Sequence, residues 1–408
     1  MELTFLGTSG GTHSSDRICS SIAVNIGHST LLFDCGPGTG KRLSDCHMNW
    51  SNIKYIFISH LHLDHVYGII PILWDLAWCY SSSAVITIVG PKGIKEFIEF
   101  MKKMVHMPPP KYTLVYVELE EGQRDVVVQH EDTKKKGGFS VEAIPLVHEP
   151  HSHGFIIRNT TRKVDYEKFT QSIFPNKLIP KILTQSELKF DISNDDTGEI
   201  ISHSCLCSDF IIEKSETLAI LGDTKTPSEA TIKALEGCDL VVMECTFSQQ
   251  HEHLAEKFNH LGPKHVSYII EKARLNQVVL THFSRRYTST ERRRAFLKYK
   301  PEIFSQYSPP VSSSPSDSSP ATTKKDSVPS VPTSEKKPQY ISNVLYLIDQ
   351  VKEGISHSCE IDCAFDGMHM QRSKIDGLRK YTVTNQDYRP KISKRSSLVI
   401  KKATKDQE

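Results

Sequence analysis

Short apolar runs rich in Val, Ile, Phe and Tyr repeat over residues 1–300, separated by Gly- and Asp-containing turns and by helix-like stretches. Runs of this kind are typical of β-strands, and their mixture with helical segments predicts a mixed α/β fold. Several runs end at a polar or charged residue, where active sites of layered α/β folds tend to lie. The predicted strands cover residues 2–7, 20–26, 30–34, 55–59, 85–89, 112–118, 139–146, 217–221, 240–243 and 277–281.

The longest apolar stretch covers residues 68–79 and is interrupted by Pro71 and Asp75. It is shorter than the roughly 20 residues that a membrane-spanning helix needs. The pattern therefore predicts a buried helix, and no membrane partner is expected.

The pattern changes beyond residue 300. Residues 308–338 contain ten Ser and seven Pro among 31 positions, which predicts a disordered linker. Folded structure is predicted to resume with a helix at 340–351 and a strand at 359–370. Residues 389–405 carry seven Lys or Arg and no acid. Segment 377–408 is therefore interpreted as a basic tail, which is either simply solvated or in contact with a polyanion.

Composition excludes a strong electrostatic field over the whole protein, because the formal net charge is only +2 and the pI is near 8.0. Any polyanion site must therefore be a local patch. The ten cysteines are scattered without zinc-finger spacing, and Met1 runs into Glu2 without a signal peptide. These features predict a soluble intracellular protein with reduced thiols, and they leave nucleus, cytosol and mitochondrion open.

The strongest chemical signal is a cluster of potential metal ligands directly after the strand predicted at 55–59. His60, His62, Asp64 and His65 fall within six residues. Imidazole nitrogen and carboxylate oxygen suit zinc. In an extended chain His60 and His62 point the same way, while Asp64 and His65 are free to turn towards a neighbouring ion.

Local ligands cannot complete two metal sites, so distant ones are required. Candidates stand where other apolar runs end, namely at His148, Asp223 and His282. Each of them alone is at least as compatible with a polar residue of a turn or of the core as with a metal ligand. Their recurrence behind the first cluster favours a two-metal centre.

The motif HLHLDH at 60–65, followed by a later His, a GDT and a final His, resembles the metallo-β-lactamase superfamily. More narrowly, the chain resembles the short form of the tRNase Z family of RNA-processing endonucleases. The narrower resemblance rests on LGTSGG at 6–11, FDCGPGTG at 33–40, ECTF at 244–247, His260, THFSRRY at 281–287 and AFDGMHM at 364–370.

This resemblance implies a four-layer αββα sandwich. Residues 1–300 form the metallo-β-lactamase-like domain, 340–376 complete it, 158–206 are an inserted substrate arm and 308–338 are a disordered loop. It implies two Zn²⁺ per chain, with Mn²⁺ able to substitute. One ion would take His60, His62 and His148. The other would take Asp64, His65 and His282, with Asp223 bridging the two.

The resemblance further implies an endoribonuclease that removes 3′ trailers from precursor tRNA and leaves a 3′ hydroxyl. Asp64 would orient the attacking water, and His260 paired with Glu244 would protonate the departing oxygen. Arg286 would bind the substrate phosphate. Precursor tRNA and a second copy of the chain in a homodimer are the implied partners, and no DNA is expected.

Three other interpretations stay open. A small-molecule phosphodiesterase, of the kind that acts on cyclic nucleotides, would share the ligands but have no use for a basic arm. A noncatalytic RNA-binding member of the fold would not need the full ligand set. Thioesterase or lactamase chemistry also occurs in the superfamily, but THFSRRY is not expected there.

Overall fold

The structure is a computed structural model that describes residues 1–80, 84–132, 137–172, 175–193, 200–287, 345–375 and 378–385. The strands of this part are β1 (Glu2–Gly7), β2 (Ser9–Gly10), β3 (Ser21–Ile26), β4 (Ser29–Phe33), β5 (Ile53–Phe57), β6 (Val85–Pro91), β7 (Thr113–Leu119), β8 (Asp125–Asp132), β9 (Gly137–Pro145), β10 (His153–Val164), β11 (Glu187–Ser193), β12 (Ile200–Leu206), β13 (Ile211–Ile220), β14 (Leu240–Glu244), β15 (Gln277–Thr281), β16 (Phe283–Ser284), β17 (Glu360–Cys363), β18 (His369–Ile375) and β19 (Leu378–Asn385).

The α-helices are α1 (Thr39–Asp45), α2 (Leu63–Val66), α3 (Ile69–Cys79), α4 (Ile94–Met104), α5 (Tyr166–Thr170), α6 (Ile179–Ile182), α7 (Glu229–Ala234), α8 (Glu252–Lys257), α9 (Pro263–Ala273) and α10 (Leu345–Lys352). Short 3₁₀ helices cover Trp50–Asn52, Asn176–Leu178, Cys207–Phe210 and Gln249–His251. No helix of the described segments is both long and apolar enough to cross a membrane.

Two large sheets form the framework. The first has the strand order β19-β18-β1-β3-β4-β5-β6-β7, and the second has the order β17-β15-β14-β13-β10-β9-β8. Their facing sides share one core, in which Phe57 of the first sheet meets Phe155 of the second with ring centroids 5.1 Å apart. Helices α1, α3 and α4 cover the outer side of the first sheet, and α7, α9 and α10 cover that of the second. The predicted αββα layering is therefore confirmed.

Each of the ten strands predicted over residues 1–300 corresponds to an observed strand, whereas seven others were not predicted, namely β2, β8, β10, β11, β12, β16 and β19. Strand β10 has the sequence HGFIIRNTTRKV, in which the apolar half packs in the core and the polar half leads out towards an insert. Its apolar signal is therefore too short to identify a strand of twelve residues.

The helix predicted at 68–79 is α3, but only one side of it is buried. Ile69, Ile72 and Leu76 are fully buried, while Trp78 is 81% exposed. Pro71 lies in the first turn, where its missing N–H breaks no intrahelical hydrogen bond. All ten cysteines lie in described segments and are free thiols.

The segment that follows the Ser/Pro-rich stretch completes both sheets. The strand predicted at 359–370 is in fact two strands, because β17 pairs with β15 in the second sheet and β18 pairs with β1 in the first. The carboxylate of Asp366 lies in the connection between them. It accepts hydrogen bonds from the hydroxyl of Thr8, the backbone N–H of Ile18 and the guanidinium of Arg42, at 2.7 to 3.1 Å. Asp366 thus ties this late segment to the N-terminal loop.

Described structure reaches Asn385, so β19 lies within the segment that was interpreted as the start of the basic tail. It pairs with β18 at the edge of the first sheet. The predicted linker at 308–338 and the basic stretch at 389–405 lie outside the described residues.

The insert between β10 and β13 has its own small core, formed by Val164, Phe169, Leu178, Ile182, Leu188, Cys207 and Phe210. Val164 and Ile211 are directly paired in the β10–β13 ladder, so the insert proper begins at residue 165 and ends at 210. We call residues 165–210 the arm. They contain four Lys and eight Asp or Glu, whereas the predicted range 158–206 also took in Arg158, Arg162 and Lys163 from β10. The arm itself is therefore net acidic.

Candidate metal centre

The predicted ligands are brought together because four strands of the two sheets end at the same edge. His60 follows β5, His148 follows β9, Asp223 follows β13 and His282 follows β15. Gly222 permits this approach, since a Cβ at that position would lie 2.5 Å from the Cβ of Ser59. A larger residue would force the end of β13 away from the histidine motif.

The first group consists of His60, His62 and His148. His60 Nε2 lies 3.0 Å from His62 Nδ1, and His148 Nε2 lies 3.4 Å from that same atom. The three candidate ligand atoms all lie within 4.8 Å of one another. This spacing matches three imidazoles directed at one cation.

The second group consists of Asp64, His65 and His282. Asp64 Oδ2 lies 3.4 Å from His65 Nε2 and 3.4 Å from His282 Nε2. Helix α2 begins immediately after His62, and it turns Asp64 and His65 away from the extended stretch that holds His60. The local sequence therefore contributes side chains to two neighbouring groups of candidate ligands.

Asp223 lies between the two groups. Its Oδ2 atom is 3.8 Å from His60 Nε2, 3.3 Å from His65 Nε2 and 3.2 Å from His282 Nε2. A carboxylate within reach of donors from both groups is suited to bridge two cations.

The candidate ligand histidines are held by partners on their other ring nitrogen. Three of these partners are the hydroxyl of Ser59 on His60, the backbone carbonyl of Asn259 on His148 and the hydroxyl of Thr246 on His282, at 2.9 to 3.0 Å. Such partners fix the ring orientation and the tautomer of a metal-binding histidine. The sequence analysis assigned no role to these three residues, although Thr246 lies within the ECTF motif.

Asp34 is the fourth such partner, and it was also missed. Its Oδ2 lies 2.7 Å from His65 Nδ1, and its Oδ1 accepts the backbone N–H of Ser59 at 2.8 Å. Asp34 adopts a φ of 57°, a left-handed conformation that Asp and Asn tolerate better than most residues. The signal was available in the sequence, since Asp34 ends a predicted strand and opens the CGPGTG turn.

We expect Asp34→Asn to weaken metal binding by about 10- to 100-fold, because the amide cannot supply the negative charge that orients His65. Asparagine keeps the size of the side chain and tolerates the left-handed backbone. Competition with a chromogenic chelator measures the affinity. An unchanged affinity would mean that Asp34 does not orient His65.

The electrostatics of the pocket favour a cation. Burial lowers the pKa of His60 well below its usual value, so this imidazole is neutral and able to act as a ligand. Burial by itself would also lower the pKa of His65, but the charges of Asp223 and Asp34 raise it well above its usual range. Buried carboxylates that keep a proton on a neighbouring imidazole show that the site carries excess negative charge, which a bound cation would neutralise. The donor set therefore fits divalent metal.

His260 lies beside this pocket and is paired with Glu244. Its Nδ1 is 3.0 Å from Glu244 Oε2 and 3.7 Å from Asp223 Oδ2. Burial opposes protonation, but the charge and hydrogen bond of Glu244 outweigh it and raise the pKa of His260 to about 9. The atoms of His260, Glu244, Asp223 and His282 also form a group compact enough to hold an ion. Geometry alone thus leaves His260 as either a proton donor or a ligand.

A cleft of about 790 Å³ opens onto these groups. His62, Asp64, Asp223, His260 and His282 all line it. Arg286 also lines the cleft, with its guanidinium 5.9 Å from the ring centroid of Phe247. Six of the predicted site residues thus line the cleft, and His60, His65, His148 and Glu244 lie in the residue groups that adjoin it.

Comparisons with known proteins agree with this architecture. A sequence model of the family of anti-Pycsar protein Apyc1 matches residues 1–163. Ribonuclease Z of Staphylococcus aureus (strain MSSA476) is 29% identical over 299 residues, which cover 71% of this chain and 91% of that protein.

Two solved structures have a similar fold. The short form of human tRNase Z has a TM-score of 0.51 and 24% identity, and the match covers 70% of this chain and 94% of that one. The metallo-β-lactamase-fold protein YhfI from Bacillus subtilis has a TM-score of 0.50 and 14% identity, over 90% of this chain and 98% of that one. The chain therefore has the metallo-β-lactamase fold, and the resemblance to ribonuclease Z that its motifs predicted is confirmed.

Proposed function

We propose that this protein is a zinc-dependent endoribonuclease that removes 3′ trailers from precursor tRNA and leaves a 3′ hydroxyl on the tRNA. The observation that carries the proposal is the convergence of seven nitrogen and oxygen donors on one pocket, with the His260–Glu244 pair at its side. Similarity to ribonuclease Z over 71% of the chain supports the choice of substrate.

One ion would be held by His60, His62 and His148 and the other by Asp64, His65 and His282, with Asp223 between them. Zinc suits this nitrogen and oxygen set, and Mn²⁺ is the expected substitute. When bound, the two ions supply Lewis-acid charge to the phosphate and lower the pKa of a water molecule.

The chain's own residues then carry the proton steps. Asp64, whose Oδ2 accepts the backbone N–H of Gly11 at 2.6 Å, orients the attacking water in line with the scissile bond. As water adds to phosphorus it gives a proton to the Asp64 carboxylate, and as the bond to the 3′ oxygen breaks, Nε2 of His260 gives its proton to that oxygen. Glu244 keeps the proton available by holding Nδ1. Arg286 at the rim binds a phosphate oxygen.

Helices α5 and α6 of the arm are its best candidate for a tRNA contact. Lys168, Lys177 and Lys181 lie exposed in or beside them, whereas the stretch 191–199 carries four acids and no base. A grip on the tRNA backbone needs local positive charge, so the helical half would make the contact. The net acidic arm also favours the alternative, a phosphodiesterase for small diesters.

Replacing the arm separates the two functions. Because Val164 and Ile211 are paired across the β10–β13 ladder, residues 165–210 can be exchanged for Asn-Gly, which closes a two-residue hairpin. We expect kcat/KM for trailer release to fall by about 100-fold or more, since a distant tRNA contact is lost. Hydrolysis of bis(p-nitrophenyl) phosphate should stay near the wild-type rate, and this also reports that the shortened chain folds.

Trailer-bearing precursor tRNA and the small diester are assayed side by side with the zinc-loaded protein. A wild-type protein that hydrolyses the small diester but releases no trailer would reject the endoribonuclease and leave the small-diester enzyme. Equal loss of both activities in the arm replacement would reject the arm as a tRNA contact. The implied homodimer is part of the proposal, and sedimentation equilibrium tests it.

A further inference from the structure

One wall of the cleft is formed by the end of α8 and the turn that follows it. Lys257, Phe258 and Asn259 all line the cleft there. Phe258 is 48% exposed. A single exposed phenylalanine needs no explanation on an ordinary surface. In the wall of a cleft that holds the candidate metal ligands, it offers a flat apolar face to whatever enters.

The position of Phe258 is fixed by the turn that also holds the site. Helix α8 closes with hydrogen bonds from Phe258 N to the carbonyl of Leu254 and from His260 N to the carbonyl of Ala255, at 3.0 and 2.8 Å. Asn259 between them has a φ of 56°. Its carbonyl accepts the hydrogen bond of His148 Nδ1 at 3.0 Å. The position of Phe258 is therefore fixed relative to His260 and to the candidate ligand His148.

Positive charge lies beside this aromatic face and elsewhere in the same cleft. Lys257 Nζ lies 5.3 Å from the ring centroid of Phe258, and the exposed side chains of Arg285 and Arg286 line the same cleft. An aromatic ring flanked by cations is the combination that binds single-stranded nucleic acid, since bases stack on the ring and cations hold the backbone. A substrate without a base would make no use of the ring.

We propose that Phe258 is a stacking platform for the base of a nucleotide that flanks the scissile phosphate, and that Lys257 contacts the adjoining backbone phosphate. This inference rests on the proposed endoribonuclease function. It adds a base-binding subsite whose recognition is tolerant of sequence, because every nucleobase presents a flat face.

A double-mutant cycle between the ring and the base tests the subsite. We expect Phe258→Ala to lower kcat/KM for trailer release by roughly 5- to 100-fold, the range seen for loss of one stacked base. Phe258→Trp keeps a stacking face and should stay near wild type. An abasic nucleotide at one of the two positions flanking the cut should slow the wild-type protein to a similar degree. It should slow the Phe258→Ala variant no further.

Tyr268→Ala is the matched control. Tyr268 is 40% exposed and has Lys272 Nζ 5.6 Å from its ring centroid, but it lies on α9 outside the lining of the cleft. Its replacement should leave trailer release unchanged. Lys257→Gln should reduce the slope of log(kcat/KM) against log salt by about one, as expected for one lost phosphate contact.

The outcomes are distinct. If Phe258→Ala releases the trailer as fast as the wild type, or if its loss multiplies with the abasic loss at both positions, there is no stacking subsite. Those results leave the endoribonuclease function intact. If the wild-type protein releases no trailer, the proposed function and the subsite both fail.

Discussion

Replacing Asp223 with asparagine is expected to abolish activity, with a fall of at least ~10³-fold in trailer release, because several kcal/mol of transition-state charge stabilisation depends on correctly held metal. Asp223 Oδ2 lies within 3.2 to 3.8 Å of nitrogen atoms of His60, His65 and His282. An amide offers a neutral and weaker oxygen at this central point. Metal content, measured by plasma mass spectrometry, should fall below that of the wild type.

Asp45→Asn is the control for this substitution. Asp45 is an exposed aspartate that pairs with Lys41 at 2.6 Å on the surface of α1. Loss of that pair should change stability by less than about 1 kcal/mol and leave metal content untouched. If Asp223→Asn retained full metal content and turnover, Asp223 would not bridge the two ligand groups.

His260→Ala is expected to lower kcat for trailer release by about 10²- to 10⁴-fold, the usual contribution of a positioned general acid. The 3′ oxygen of a ribose is a poor leaving group and needs the proton, whereas p-nitrophenolate leaves without one. Hydrolysis of bis(p-nitrophenyl) phosphate should therefore lose much less. Steady-state kinetics on both substrates measure the difference.

Metal content distinguishes the two roles that geometry allows for His260. A general acid can be removed without loss of metal, so the variant should bind as much zinc as the wild type. A fall in zinc content together with equal losses on both substrates would make His260 a ligand instead. His253→Ala is the control, because His253 is an exposed neighbour in the same His-rich stretch and should be dispensable.

Local sequence was enough to point to the first candidate ligands. His60, His62, Asp64 and His65 lie together because an extended stretch runs directly into α2, and both features follow from short-range pattern. The later candidates, His148, Asp223 and His282, were recognised by their position after apolar runs. Parallel and neighbouring strands bring such residues to one edge of a sheet.

Residues that act through a backbone group or through the pairing of strands were not assigned a role from the sequence. Asn259 holds His148 by a carbonyl, and any residue type supplies a carbonyl. Thr246 reaches the ring of His282 only because β14 and β15 are parallel neighbours in the second sheet. Thr246 lies within the ECTF motif, but neither a threonine nor a backbone carbonyl is by residue type a sign of a metal site.

The arm shows the same limit in its boundaries and charge. The arm predicted at 158–206 was expected to be basic, but Arg158 and Arg162 belong to β10 and form ion pairs with Glu142 and Glu213. Strand pairing assigns these cations to the second sheet and leaves residues 165–210 net acidic. The composition of a sequence segment does not show which charged side chains form ion pairs with a neighbouring β-strand.

The amino-acid pattern by itself determined the α/β class, the order of most core strands and the chemical nature of the candidate metal donors, because these depend on short-range periodicity and on residue type. Tertiary structure alone decided how the two sheets are closed by β17 and β18, which partners orient each histidine and where the arm begins. Those features depend on contacts between residues far apart in the chain, such as Asp366 with Thr8. Such contacts exist only once both sheets have packed.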